Sequence, residues 1–235
     1  MNIWIFSSGS GRDNICADSD MLRSVGKKRI KLAFLPTGAE DGDLYFRQLK
    51  RRLNRHNKKE IDFKLYKIYE ILGEQAKSEI EGADIVYLSG GNTFNLLSGL
   101  HKNSLLPVLF KRGLRGGLTA GHSAGAIVLS HDIRTAAYPS YDRDKNTALI
   151  KDLRGIRLLP FEVFPHYEEN NSRNGWYDHT KCLKKYTKDK GGILYAIKDG
   201  QAIHVNATGT MTVYGGATAF CGGDKEKILP TSDLY

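Results

Sequence analysis

Several common organising features are scarce or missing in this chain. Cysteine is limited to Cys16, Cys182 and Cys221, odd in number, widely spaced and in no C-x-x-C arrangement, which argues against both a disulfide framework and a cysteine-based zinc site. No apolar run approaches the roughly 18 residues of a membrane span. The opening MNIWIFSSGSGRD lacks the basic start and long apolar segment of a secretion signal. No membrane association and a cytoplasmic location are therefore expected. A G-x-x-x-x-G-K-[ST] loop is missing, as is a G-x-G-x-x-G after the first apolar run, so no nucleotide cradle is indicated. SSGSGR at positions 7–12 is too short to supply one. Linkers, internal repeats and low-complexity stretches are also lacking, and 235 residues at 40% apolar content suit one α/β domain spanning 1–235.

Acidic residues are outnumbered, 26 against 35 Lys and Arg, for a net charge of +9. The densest basic run, Arg47 to Lys59, interleaves with Leu44, Leu49 and Leu53 at roughly helical spacing, the pattern of an amphipathic helix whose bases face water. With no recognisable motif and no interleaved aromatics, the run argues against a nucleic-acid partner.

Short apolar runs alternate with helix-like segments: NIWIFSS, RIKLAFLPT, the basic helix, DFKLYKIY, EQAKSEIEG and DIVYLSG. That order predicts a mostly parallel sheet with helices on both faces. GNTFNLLSGL and LLPVLFKRGLRG read as helices, and GLTAG as a short strand. From Ile133 to Leu159 a polar stretch is too long for a simple connection and is a candidate active-site loop. Beyond it come RLLPFEVFPHY, a helix near GWYDHTKCLKKYTK, and the strands GILYAIKDG, QAIHVNA and GTMTVYGG.

The chemistry centres on Gly121-His122-Ser123-Ala124-Gly125. A G-x-S-x-G pentapeptide is a weak signal alone, but here a strand ending in small residues precedes it and SAGAIVLS, with the composition of a buried helix reaching towards His131, follows. Flanking glycines let the chain turn sharply and project the hydroxyl of Ser123 at the strand's carboxyl end. A packing corner would use the same glycines. A serine nucleophile needs a base. Of seven histidines, His166 in EVFPHYEENN is the one placed just after a strand candidate, at the rim where catalytic loops gather. An oxyanion needs amide donors, and LSGGNTFNLL supplies a glycine turn at Gly90 and Gly91, with Asn92 as helix N-cap.

Four blocks in order, GGNTFNLL, GHSAGAIV, DIRT and FPHY, resemble the peptidase E (aspartyl dipeptidase) serine peptidases, which share the class I glutamine amidotransferase-like fold and are related to cyanophycinase. The resemblance implies Ser123 as nucleophile on an elbow, His166 as general base, and Gly91 with Ala124 as oxyanion amides. Where that family carries its orienting aspartate this chain has Tyr138, so Asp142, Asp144 and Glu168 are the candidates for the third member. Glu168 is favoured, because His166-Tyr167-Glu168 repeats the His-x-Glu spacing of glutamine amidotransferases. Asn92 and Arg173 are the expected substrate contacts, Arg173 as the local cation for a substrate carboxylate.

The implied activity is hydrolysis of small peptides, dipeptides with an amino-terminal Asp among them, needing neither cofactor nor metal. A small peptide is the expected partner, and a homodimer the oligomer left open. The alternatives are a non-catalytic or weakly active binding relative on the same scaffold, motivated by the missing aspartate, and an esterase using Asp142 between serine and histidine.

Overall fold

The computed structural model describes residues 1–8, 14–55, 57–168 and 178–231. Its centre is a seven-stranded sheet. Five strands run parallel: β1 (Asn2–Phe6), β2 (Arg29–Leu35), β3 (Glu60–Leu65), β4 (Ile85–Leu88) and β5 (Leu118–His122). They lie in the order β3-β2-β4-β5-β1. The β1 edge is extended by antiparallel β8 (Ala202–Val205) and β9 (Met211–Tyr214).

The near-continuous apolar runs of β1, β2 and β4 follow from burial on both faces. Ile3, Ile5, Leu35 and Leu88 face one core, while Trp4, Phe6, Phe34 and Tyr87 face the other. The first core is covered by α3 (Glu74–Glu81), α4 (Thr93–Lys102), α5 (Leu105–Leu114) and α6 (Ala124–Val128). The second lies under α1 (Ile15–Ser24) and α2 (Ala39–Arg55).

The expected mostly parallel sheet with helices on both faces is what forms. Three details differ from the sequence reading. Helix α1 stands between the first two strands, held by Ala17, Met21 and Leu22; it is too short and polar for its periodicity to show. The elbow helix stops at Val128, so His131 lies beyond it. In α2, Leu49 and Leu53 are buried as expected, but Leu44 is exposed and Arg52 is drawn into the fold.

A second sheet has the order β11-β10-β7-β6. It comprises β6 (Glu162–Phe164), β7 (Ile193–Ala196), β10 (Ala217–Cys221) and β11 (Asp224–Ile228). Helix α7 (His179–Lys190) packs Leu183 and Tyr186 against its Phe164, Leu194 and Phe220. Strands β6 and β7 are parallel, so their carboxyl ends meet at one rim. The polar stretch before β6 forms a 3₁₀ turn over Arg134–Ala137 and then irregular chain.

Candidate active site

Ser123 occupies the turn between β5 and α6 with φ 52° and ψ −110°, a conformation that L-residues rarely adopt. The turn closes because its neighbours are small. A Cβ on Gly121 would collide with the Gly125 carbonyl, and one on Gly125 with the Leu88 carbonyl. Gly91 is equally constrained, with φ +115° and no room for a Cβ, which would collide with the Thr37 hydroxyl; that hydroxyl donates to the Gly90 carbonyl at 3.0 Å.

Ser123 Oγ lies 2.7 Å from His166 Nε2, and His166 Nδ1 lies 2.7 Å from Asp199 Oδ1. A carboxylate only accepts, so Nδ1 carries the proton and Nε2 presents its lone pair to the serine hydroxyl. His166 also has a positive φ, 56°. Its backbone N–H donates to Ser7 Oγ at 2.8 Å, and that hydroxyl donates to Asp199 Oδ1 at 3.2 Å. Ser7, just beyond β1, thus ties histidine and aspartate together. Backbone bonds from Tyr167 N to the Ile197 carbonyl, 3.1 Å, and from Ile197 N to the Phe164 carbonyl, 3.0 Å, hold the two strand ends in register.

The carboxylate behind His166 is therefore Asp199, which the sequence reading missed. Glu168 and Asp142, expected there, lie elsewhere in the network. Glu168 gives its backbone N–H to His179 Nδ1 at 3.2 Å, and His179 Nε2 lies 3.1 Å from Asp142 Oδ2. That bond comes first among the causes holding the Asp142 carboxyl below the usual carboxylate range. Asp144 accepts from the Thr93 amide at 2.7 Å. Asn92, expected at the substrate, caps α4: its Oδ1 accepts from Asn95 N at 3.0 Å and its Nδ2 donates to the Lys145 carbonyl at 2.9 Å. Arg173 lies outside the described residues. The esterase alternative loses the acid it required, since Asp199 follows His166 in the chain.

Among the described residues, the amides of Gly91 and Ala124 have no protein acceptor. Both residues flank Ser123, and Gly91 lines its cleft, which measures about 310 Å³. Thr135, Asp142, Arg143, Asp144 and Phe164 also face this cleft. His131, Asp132 and Glu162 bring an imidazole nitrogen and two carboxylate oxygens within 4.8 Å of one another, the spacing of a candidate metal group. Arg134 already pairs with Asp132, and the Tyr186 hydroxyl donates to Glu162 at 2.9 Å, so the fold itself satisfies these carboxylates.

Known proteins resemble this chain along most of its length. A peptidase E of Streptomyces coelicolor is 25% identical over 234 residues, covering 97% of this chain and 87% of that protein. A peptidase E of Haemophilus influenzae is 27% identical, the match spanning 57% of this chain and 59% of the relative's length. Among solved structures, a peptidase from an acI-B1 Actinobacterium superposes with a TM-score of 0.67 at 19% identity, covering 99% of this chain and 96% of the other. A protein from Listeria monocytogenes EGD-e gives the same TM-score at 22% identity, covering 90% and 96%. These two show the shared fold. The model of peptidase family S51 matches residues 3–213, and the chain belongs to that family.

Proposed function

We propose that the protein is a serine peptidase acting on small peptides, with Ser123, His166 and Asp199 as its catalytic relay. The observation that carries this reading is the continuous pair of 2.7 Å contacts from hydroxyl to imidazole to carboxylate. Ser123 Oγ attacks the scissile carbonyl while its proton passes to His166 Nε2. Asp199 holds the ring in the required tautomer and stabilises the imidazolium. The unpartnered amides of Gly91 and Ala124 receive the oxyanion. His166 then returns the proton to the leaving amine, and a water repeats the sequence to release the acyl group.

The finer reading is a dipeptidase preferring an acidic amino-terminal residue. It is supported by the relatives' description as peptidase E and by charges in the cleft. Asp142 offers a carboxylate to a substrate ammonium, and Arg143 offers a guanidinium to an acidic side chain.

The test is release of free aspartate from an Asp-X dipeptide, run beside fluorophosphonate labelling. Ser123→Ala is expected to abolish both while leaving the circular dichroism spectrum unchanged. Turnover retained in that variant would remove Ser123 as the nucleophile. Labelling without dipeptide turnover would retain the hydrolase and reject the dipeptide specificity.

A further inference from the structure

A second cleft, of about 350 Å³, opens on the other side of the Ser89-Gly90-Gly91 turn. Ser89 and Gly90 line it, whereas Gly91 lines the cleft of Ser123. Three guanidiniums of α2 face it, those of Arg51, Arg52 and Arg55. Arg52 is built in. Its side chain is only 10% exposed, with Nε 3.0 Å from Asp18 Oδ2 and Nη2 donating to Asp18 Oδ1 at 3.1 Å and to the Tyr87 hydroxyl at 2.9 Å. Its guanidinium also lies 5.1 Å from the centre of the Phe6 ring. Arg51 and Arg55 are exposed and, among the described residues, form no ion pair. Asp18 therefore offsets one positive charge of three.

At the floor lies His122, the residue before the nucleophile. Its Nε2 is buried and has no hydrogen-bond partner among the described residues. Burial first, and the neighbouring Arg52 charge second, push the His122 pKa down to about 3, leaving a neutral ring. Phe34, Tyr45 and Tyr87 supply apolar and aromatic wall. The cleft lies at the carboxyl ends of β2 and β4, the rim at which open parallel sheets take their ligands, and its volume suits a small molecule.

We propose that this cleft binds a small organic anion, a carboxylate or phosphate on an aromatic or apolar body. Arg51 and Arg55 would meet its charge from solvent and Arg52 from the wall, above the neutral ring of His122. The ring system would lie against Tyr45 and Tyr87. An occupant would bear on the turn that also carries the Gly91 amide, placing an anion sensor one residue from the hydrolytic cleft. The site rests on α2 and His122, not on the peptidase reading, and stands or falls separately.

Isothermal titration of the full chain with phenyl phosphate, benzoate and inorganic phosphate tests it. Saturable one-to-one binding of at least one aromatic anion is expected. Arg51→Ala/Arg55→Ala, two exposed changes, is expected to weaken it at least about tenfold, the scale of a lost charge-assisted contact. An unchanged circular dichroism spectrum and thermal midpoint show that the variant is folded. Phenyl phosphate binding without benzoate binding identifies the phosphate as the recognised group, and the reverse identifies the carboxylate. Equal affinity in wild type and double variant overturns the proposal, as does an absence of saturable binding by both aromatic anions.

Discussion

Two histidine–aspartate pairs stand at the same rim of this molecule, and they are built to opposite ends. His166 and Asp199 are open, their side chains 44% and 59% exposed, whereas His179 is sealed at 2% behind the half-exposed Asp142. Both ring nitrogens of His179 are committed, Nδ1 accepting the Glu168 amide and Nε2 facing Asp142. His166 differs in one respect that decides its chemistry: its proton goes to Asp199, and its free lone pair meets a serine hydroxyl. The backbones differ too. Ser123 and His166 both sit at positive φ, at a cost of about 1–3 kcal/mol each, while His179 opens a regular helix. In the proposed mechanism the open pair serves as a proton relay because the backbone holds its ring against the Ser123 hydroxyl. Sealed among aromatic rings, the other pair is a brace.

Breaking the open pair should give the largest effect. In Asp199→Asn the amide can accept or donate, the tautomer of His166 is no longer fixed, and kcat for peptide hydrolysis should fall on the order of 10⁴-fold. Its stability in denaturant should change by less than about 1 kcal/mol, because both side chains are largely exposed. A fall of less than about tenfold would mean that His166 is oriented without Asp199.

Breaking the sealed pair should invert that result. His179 lies between rings, with Phe164 at 5.1 Å and Tyr141 at 6.1 Å, so His179→Ala should cost about 2–4 kcal/mol by opening a cavity. At a temperature where the variant is fully folded, fluorophosphonate should still label Ser123. Labelling lost together with stability would make the brace part of the relay.

The contrast also explains what could be read from the chain. Ser123 was legible because its turn demands small neighbours, and Gly121 and Gly125 are written beside it; Gly90 and Gly91 announce the facing turn in the same way. His166 followed from its place after an apolar run. Asp199 was not legible. It lies in Lys198-Asp199-Gly200, which reads as an ordinary turn between two strands, and it meets His166 only because β7 runs parallel to β6 in a second sheet that the periodicity did not reveal. Glu168 and Asp142 were attractive because they are near His166 in sequence or in the expected loop. Tertiary pairing instead handed Asp142 to His179. The fold was more legible than the site, since Trp4 and Phe6 facing one core and Ile3 and Ile5 the other leave an apolar run that only a twice-buried strand explains. The hairpin of β10 and β11 was missed, its strands being half polar and its turn, Gly222-Gly223, at positive φ on both residues.

The smallest effect distinguishes the pairs through pH. The hydrogen bond from His179 keeps the Asp142 carboxyl below its ordinary range in the folded protein. A depressed carboxylate binds its proton more weakly folded than unfolded, so its contribution to stability is complete above the unfolded value, about 3.9. That contribution is lost as pH falls through the lower folded value. Asp142→Asn should therefore lower stability modestly at neutral pH and flatten the part of the acid-unfolding curve that lies below about pH 4. Its curve and that of the wild type should converge at the acid end, where Asp142 is protonated in both states. Parallel curves, separated equally at every pH, would show that Asp142 contributes through packing and that its charge is not what His179 holds in place.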